Sequence, residues 1–266
     1  MPEGDAQGAV LAAVDIGSHA VRLLVAQRIN GAIVPLRREL IATRLGERMA
    51  DGILGEAAQR RTLAALADLA AVLRPYAPRA VTAVATSAVR EARNGRDFAR
   101  AAGVVLRVPV RVLRGDEEAR LSYLGAVRGL GLAEAVVVDI GGGSTELVYS
   151  RGETLVARSW PVGAMRPADA SRVAVEQALR NVSAGVPPSL PLVGVGGTVT
   201  TLVAVEKRLV PYDPQKVHGT VLAAAAVDRL FAYLAGLGLV ERRQVPGLQP
   251  ERADIILNGI VILQVV

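Results

Sequence analysis

The sequence predicts an α/β fold made of two similar lobes, each with a mixed sheet flanked by helices. The first observation is an internal repeat, because residues 14–17 and residues 138–141 both read Val-Asp-Ile-Gly. The second is that each copy joins two apolar, β-branched runs, a pattern typical of strand, tight turn and strand. The third is that alternating strand and helix patterns follow both copies. A strand–turn–strand unit that recurs within one chain indicates two related lobes.

The first lobe is predicted to span residues 1–130 and to end at a hinge formed by Gly129, Leu130 and Gly131. Asn30-Gly31 is a hairpin signal, and leucines at helical spacing predict a long helix that stops before Pro75. Thr86 and Ser87 are suited to begin a further helix. The predicted strands are 10–13, 21–27, 33–36, 80–85 and 110–113, and the predicted helices are 54–73, a helix from 86–87, 97–102 and 115–128. Residues 37–48 are charged and are predicted to be irregular.

The second lobe, residues 131–266, is predicted to repeat this plan. Its predicted strands are 136–139, 144–149, 155–159 and 192–195. Its predicted helices are 173–180, 198–208, 223–237 and an apolar tail within 251–266. The tail would begin with Arg252, Ala253 and Asp254 in its first turn.

Composition excludes several classes of site. The chain has no cysteine and only two histidines, which removes disulfides and thiolate chemistry and argues against a histidine-rich metal site. A metal would therefore be held by carboxylates, and Mg²⁺ or Mn²⁺ suits such ligands. Aromatic residues make up 3% of the chain, which disfavours base stacking and nucleic-acid binding. The net charge of +6 fits either a polyanionic substrate or arginines on solvated faces.

The glycine-rich turns predict a site for an anion. Three consecutive glycines, 141–143, let the backbone approach an anion closely, and Ser144 and Thr145 add hydroxyl donors. Asp139, at the end of the preceding strand, is placed to hold a hard cation. A third turn, residues 194–198, follows another apolar run. One such turn alone would be an ordinary hairpin, but three turns with two strand-end acids favour phosphate chemistry.

Two further features point to the same chemistry. Arg90 falls one turn into a helix, where it either faces a phosphate or lies on the surface. Asp116, Glu117 and Glu118 open the helix predicted at 115–128. Acids in a first helical turn complement the helix dipole, but a carboxylate directed at an anion site can also accept a proton from water.

Eight segments taken together resemble the exopolyphosphatase/guanosine pentaphosphate phosphatase family, a branch of the actin and sugar-kinase superfamily. They follow the family's order and cover nearly the whole chain: residues 12–26, 85–94, 114–126, 136–148, 159–166, 194–205, 217–219 and 251–263. The resemblance implies two actin-like, ribonuclease H-like lobes with the active site in the cleft between them.

The activity that the resemblance implies is Mg²⁺-dependent release of a terminal phosphate from linear polyphosphate or guanosine pentaphosphate. Glu118, the second acid of the Glu-Glu-Ala segment, matches the residue that activates water, and Glu117 is its rival because helix phase decides between them. The metal-associated acids would be Asp15, Asp139 and Glu146. The residues implied to bind phosphate are Gly17, Ser18, His19, Arg22, Arg90, Gly141, Gly142, Gly143, Ser144, Thr145, Gly196, Gly197 and Thr198.

The chain departs from the family pattern in three places. His19 stands in the Ser-His-Ala turn where the family carries Ser-Asn-Ser or a similar sequence, so it acts either as a neutral hydrogen-bonding substitute or as a protonatable phosphate contact. Residues 167–188 form a shorter connection than expected. The chain also ends inside the expected last helix, which would pack back on the first lobe, so the family's closing segment is expected to be missing.

The opening residues lack the pattern of a signal peptide, and no stretch reads as a membrane span. The expectation is a cytoplasmic protein, and family members commonly form homodimers. Two other functions compete with hydrolysis. An ATP-dependent kinase of the superfamily would leave Glu118 unexplained. A non-catalytic polyphosphate or alarmone sensor would have little need of Asp15, Glu118 and Asp139 together.

Overall fold

The chain folds into two compact units, Met1–Arg114 and Gly115–Val266. The structure, a computed structural model, describes residues 8–49, 51–165 and 172–266. The predicted boundary lay after residue 130, whereas the helix that begins at Gly115 belongs to the second unit because it packs on that unit's strands. The described residues leave out residues 1–7 of the chain's opening. They also leave out Arg166, which ends the 159–166 segment, and residues 167–171, which begin the connection predicted to be short.

The first unit contains a five-stranded mixed sheet in the order β3-β2-β1-β4-β5. The strands are β1 (Val10–Ile16), β2 (Ala20–Ile29), β3 (Ala32–Ala42), β4 (Ala80–Ala85) and β5 (Val110–Val112). The first three are antiparallel to one another, and β4 and β5 run parallel to β1. This arrangement brings the ends of β1 and β4 to the same edge of the sheet.

Three helices accompany this sheet: α1 (Glu56–Leu73), α2 (Ser87–Glu91) and α3 (Gly95–Leu106). A short 3₁₀ turn, Arg74–Tyr76, ends α1, as Pro75 predicted. The leucines that recur along α1, among them Leu66 and Leu69, are buried with Val14, Ile16 and Phe98 in one hydrophobic core. The helical periodicity in the sequence therefore identified the buried face of α1.

The third strand is longer than the sequence predicted. Only residues 33–36 were expected to be extended, yet β3 pairs with β2 as far as Ala42. The added part contains Arg37 and Arg38, which are exposed, and Glu39, which is half-buried. Because β3 is an edge strand exposed along most of its length, it lacks the alternation of apolar and polar residues that identifies a half-buried strand.

The second unit contains a four-stranded mixed sheet in the order β8-β7-β6-β9. The strands are β6 (Val136–Ile140), β7 (Thr145–Arg151), β8 (Thr154–Trp160) and β9 (Leu192–Val195). Strands β6, β7 and β8 are antiparallel neighbours, and β9 runs parallel to β6. The same plan relates β1, β2, β3 and β4 in the first unit, so the predicted repeat of mixed sheets is confirmed.

The described residues of the second unit also form several helices. They are α4 (Gly115–Leu130), α5 (Arg172–Ala178), α6 (Gly197–Glu206), α7 (Pro214–Val217), α8 (Ala224–Ala235), α9 (Leu239–Arg242) and α10 (Ile256–Val265), with a 3₁₀ turn at Pro250–Arg252. Leu202 of α6 packs with Leu234 of α8 and Ile260 of α10. No helix of the described residues is both long and apolar enough to cross a membrane.

Candidate active site

In the first unit, an acid at the end of β1 is paired with a base on β2. Asp15 lies opposite Arg22 in the antiparallel register. The Arg22 guanidinium donates to Oδ2 of Asp15 over 2.7 Å, and both side chains are partly exposed. The two residues predicted for metal and phosphate therefore face the same side of the sheet as an ion pair.

The turn between β1 and β2 is held by its own backbone and by α2. The amide of Gly17 donates to the carbonyl of Ala20 over 3.0 Å, and Ser18 and His19 are buried. The hydroxyl oxygen of Ser18 accepts the amide of Ala88 over 3.2 Å. That bond occupies an acceptor lone pair of Ser18, so its own hydroxyl hydrogen is available for another partner.

The predicted phosphate contact Arg90 lies in α2. Its guanidinium donates to the carbonyl of Leu113 over 3.0 Å, and the residue is half-buried. This bond ties α2 to the residue that follows β5. The structure therefore gives Arg90 a fixed position near the end of the sheet, and its contact with phosphate stays a prediction.

In the second unit, two predicted metal acids face each other across neighbouring strands. Asp139 of β6 and Glu146 of β7 are directly opposite in the antiparallel register, so their side chains lie on the same face. Each accepts a hydrogen bond from a serine: Ser122 donates to Oδ2 of Asp139 over 2.6 Å, and Ser159 donates to Oε1 of Glu146 over 2.8 Å.

Helix α4 brings Glu118 toward this pair. Glu118 and Ser122 are four residues apart, which places them on one face of the helix. Ser122 bonds to Asp139, whereas Ala119 and Tyr123 are buried in the core below the helix. The charge of Glu118 also acts on Glu146. The phase of α4 therefore places Glu118 on the face that meets the acids, and the choice of Glu118 over Glu117 as the base stays a prediction.

Burial, together with the negative charges of Glu118 and Asp139, raises the pKa of Glu146 to about 8. Hydrogen bonds from Ser144 and Ser159 oppose the shift. Glu146 is only 1% exposed, so its charged form loses nearly all contact with water. Without a cation, this acid cluster retains a proton at neutral pH.

Residues 163–165 contact the turn of three glycines and stabilise it. The amide of Gly141 donates to Ser144 O over 2.9 Å, and the amides of Ala164 and Met165 donate to the carbonyls of Gly141 and Gly142. Gly163 lies so close to the backbone of Gly142 that a side chain there would collide with it. These contacts fix the conformation of the turn that the sequence assigned to phosphate.

The two hydroxyl residues after these glycines are buried. Ser144 is 2% exposed and Thr145 is fully buried. The hydroxyl of Thr145 donates to the carbonyl of Val162 over 2.6 Å. In this structure Thr145 therefore stabilises the turn, and its contact with phosphate stays a prediction.

The third glycine turn leads into a helix rather than a strand, and it lies against Asp139. Gly196 precedes α6 with a φ of 91°. A Cβ on Gly196 would lie 2.6 Å from the carbonyl oxygen of Ile140 and 2.9 Å from Oδ1 of Asp139. The N-terminus of α6 carries amides and the positive end of the helix dipole, so it places an anion-binding element beside the acids.

The sequence missed three side chains that lie among these elements. Arg252 packs against Gly197 so closely that a side chain at Gly197 would overlap its guanidinium. Ser122 and Ser159 bond the two acids. Arg252 belongs to one of the segments that carried the family resemblance, and Ser122 follows Glu118 by one helical turn. Ser159 could be found only from the register of β7 and β8.

The carboxylates of this site suit Mg²⁺ better than a metal ion that takes all its ligands from protein side chains. The described residues contain no group of three or more histidine, cysteine, aspartate or glutamate side chains arranged to hold a metal ion. Asp139 and Glu146 supply two facing carboxylates, and Mg²⁺ commonly binds one or two carboxylates while keeping several waters. The predicted ligand Asp15 lies in the other unit.

Comparison with known proteins agrees with the fold. Exopolyphosphatase 2 of Mycobacterium tuberculosis is 34% identical over 283 positions, which cover 96% of this chain and 88% of that protein. A solved Ppx/GppA enzyme of Aquifex aeolicus is 31% identical with a TM-score of 0.79, covering 97% of this chain and 91% of that one. A solved exopolyphosphatase of Cytophaga hutchinsonii, 23% identical with a TM-score of 0.83 over 96% and 89% of the two chains, supports the fold alone.

Two mixed sheets, each with a strand–Asp–glycine turn, define an α/β protein of the actin-like, two-lobed class, which confirms the predicted fold. Within that class, a model of the Ppx/GppA phosphatase family matches residues 24–266. The chain belongs to the Ppx/GppA phosphatase family, as the eight sequence segments predicted.

Proposed function

We propose that this chain is a Mg²⁺-dependent phosphoanhydride hydrolase that releases the terminal phosphate of inorganic polyphosphate. The observation that carries the proposal is the group formed in the second unit by Glu118, Asp139 and Glu146 beside the N-terminus of α6. Membership of a phosphatase family and the similarity to an exopolyphosphatase support the same reaction. Phosphoryl transfer depends mainly on positioning and charge neutralisation, and these elements supply both.

Glu118 is the base in this proposal. It would accept a proton from the attacking water, at the carboxylate that α4 turns toward Asp139. Glu146 is less suited to this role because it is nearly fully buried and is bonded by Ser159. Glu118 is half-buried and lies in the first turn of α4, where it retains access to solvent. A carboxylate that contacts water and faces an anion site meets the geometric condition for general-base catalysis.

The other residues bind and orient the substrate. Amides at the start of α6 would donate to phosphate oxygens, and the nearby Arg252 would add positive charge. Asp139 and Glu146 would hold Mg²⁺, and Mn²⁺ would replace it with the same ligands. When bound, the cation neutralises charge that develops on the transferred phosphoryl group. Ionisation of Glu146 is favoured by such a cation, because the cation offsets the repulsion from Glu118 and Asp139.

The substrate preference is tested by direct comparison. Phosphate release with Mg²⁺ would be measured on long-chain polyphosphate, tripolyphosphate and guanosine pentaphosphate under the same conditions. We expect phosphate release from both polyphosphates. The rate with guanosine pentaphosphate, the other substrate that the family resemblance implies, is then ranked against them. A parallel reaction with ATP labelled at its terminal phosphate and candidate acceptors tests for kinase activity.

Two results would contradict the proposal. Transfer of the label to an acceptor without phosphate release would identify a kinase. Binding of polyphosphate without turnover of any substrate would identify a sensor. The expected homodimer is a separate prediction, which light scattering of the purified chain would test.

A further inference from the structure

Ser122 connects the helix that carries Glu118 to the strand that carries Asp139. Its hydroxyl donates to Oδ2 of Asp139 over 2.6 Å, across 17 positions of the sequence. The distance is at the short end for a hydroxyl bonded to a carboxylate, as expected for a charge-assisted hydrogen bond. Ser122 therefore contacts one of the acids of the site, although its own side chain is not acidic.

The position of Ser122 along α4 links it to Glu118. The two residues are one helical turn apart and share a face, while Ala119 and Tyr123 point into the core. A bond from Ser122 to β6 therefore sets the rotation of the first half of α4 about its own axis. That rotation decides where the Glu118 carboxylate lies relative to Asp139.

The two oxygens of Asp139 have different surroundings. Oδ2 accepts the Ser122 hydroxyl, and Oδ1 lies against the turn at Gly196, where an added Cβ would come within 2.9 Å. The bond from Ser122 restrains rotation of the Asp139 carboxylate about its χ2 angle.

We infer that Ser122 is a positioning residue, which orients Asp139 for a divalent cation and fixes the phase of α4 that presents Glu118 to water. This inference rests on the proposed function. Partners that orient metal-binding carboxylates in other proteins change metal affinity or activity by about 10- to 100-fold when they are removed. Ser122 has the same relation to Asp139.

The test compares Ser122→Ala with Ser122→Thr, which retains the hydroxyl. Ser150→Ala is the matched control, because Ser150 donates to the exposed Glu134 over 2.7 Å, a bond of similar length between the same chemical groups. Mn²⁺ binding would be measured by electron paramagnetic resonance on each purified chain. kcat and KM for tripolyphosphate would be measured with Mg²⁺, and thermal melting would confirm folding.

We expect Ser122→Ala to bind Mn²⁺ about 10- to 100-fold more weakly and to lose kcat more than it raises KM. Ser122→Thr is expected to stay within about threefold of wild type, since it keeps the donor, and Ser150→Ala is expected to match wild type. If Ser122→Ala does not fold, Ser122→Cys replaces it, because a thiol keeps the volume but is a weak donor.

The inference is overturned if Ser122→Ala matches Ser150→Ala in both Mn²⁺ affinity and kcat. It is also overturned if the wild-type chain binds no Mn²⁺. A wild-type chain that binds Mn²⁺ but releases no phosphate from any substrate would contradict the proposed function. In that case the Mn²⁺ affinities alone decide on Ser122, so the two failures are distinguishable.

Discussion

Replacing Glu146 with glutamine should stabilise the metal-free chain at alkaline pH. Burial and two neighbouring charges raise the pKa of Glu146 from 4.5 to about 8 in the folded state. The unfolded chain releases this proton near the ordinary value, so the proton stabilises the fold fully below pH 4.5. That contribution is lost as the pH rises through 8.

The magnitude follows from the difference between the two pKa values. The difference between a pKa of 4.5 and one of about 8 corresponds to about 5 kcal/mol. Because Glu146 is 1% exposed, solvent screening removes little of this energy, but Glu118 and Asp139 share in the same titration. We therefore expect Glu146→Gln to raise the free energy of unfolding, relative to wild type, by about 2–5 kcal/mol more at pH 9 than at pH 4.5.

The assay is urea unfolding of both chains with a chelator at pH 4.5, 7 and 9. Glu134→Gln is the control, because Glu134 is exposed and also accepts a serine hydroxyl. The control should show a pH dependence like that of wild type. If the difference between wild type and Glu146→Gln stays constant within about 0.5 kcal/mol from pH 4.5 to 9, the argument from burial and charge is refuted.

Three other changes test separate parts of the site. Gly196→Ala should lower the free energy of unfolding by about 1–3 kcal/mol in urea, because φ is 91° and the new Cβ would meet Ile140 O at 2.6 Å; unchanged stability would contradict the close approach. Thr145→Val should cost about 1–3 kcal/mol in the same assay, since Val162 O loses its buried donor. Arg252→Ala should raise KM for tripolyphosphate about tenfold, and an unchanged KM would separate Arg252 from substrate binding.

Much of the fold was predictable because its signals are local. The run Val136–Val138 is continuous and β-branched, and the leucines of α1 recur at the helical period. The repeat of Val-Asp-Ile-Gly identified the strand-end acids of both units from the sequence alone. The long β3 was missed because its exposed edge position removes the alternation on which strand prediction depends.

The partners of the acids were not predictable from local patterns. Ser159 meets Glu146 only because β7 and β8 pair in one register, and a shift by one residue would turn Ser159 to the other face. Arg252 reaches Gly197 from a segment far along the chain. The boundary between the units was also misplaced, since a glycine pair at 129–131 resembles a hinge, while the packing of α4 on β7 and β8 is a tertiary contact.

The most direct test of the central claim compares Glu118→Gln with Glu117→Gln in phosphate release from tripolyphosphate with saturating Mg²⁺. Both variants remove one charge from the same helical turn, so effects on the helix dipole are matched. We expect Glu118→Gln to lower kcat by at least about 100-fold and Glu117→Gln to stay within about threefold of wild type. Near-normal turnover by a folded Glu118→Gln would contradict the assignment of Glu118 as the base.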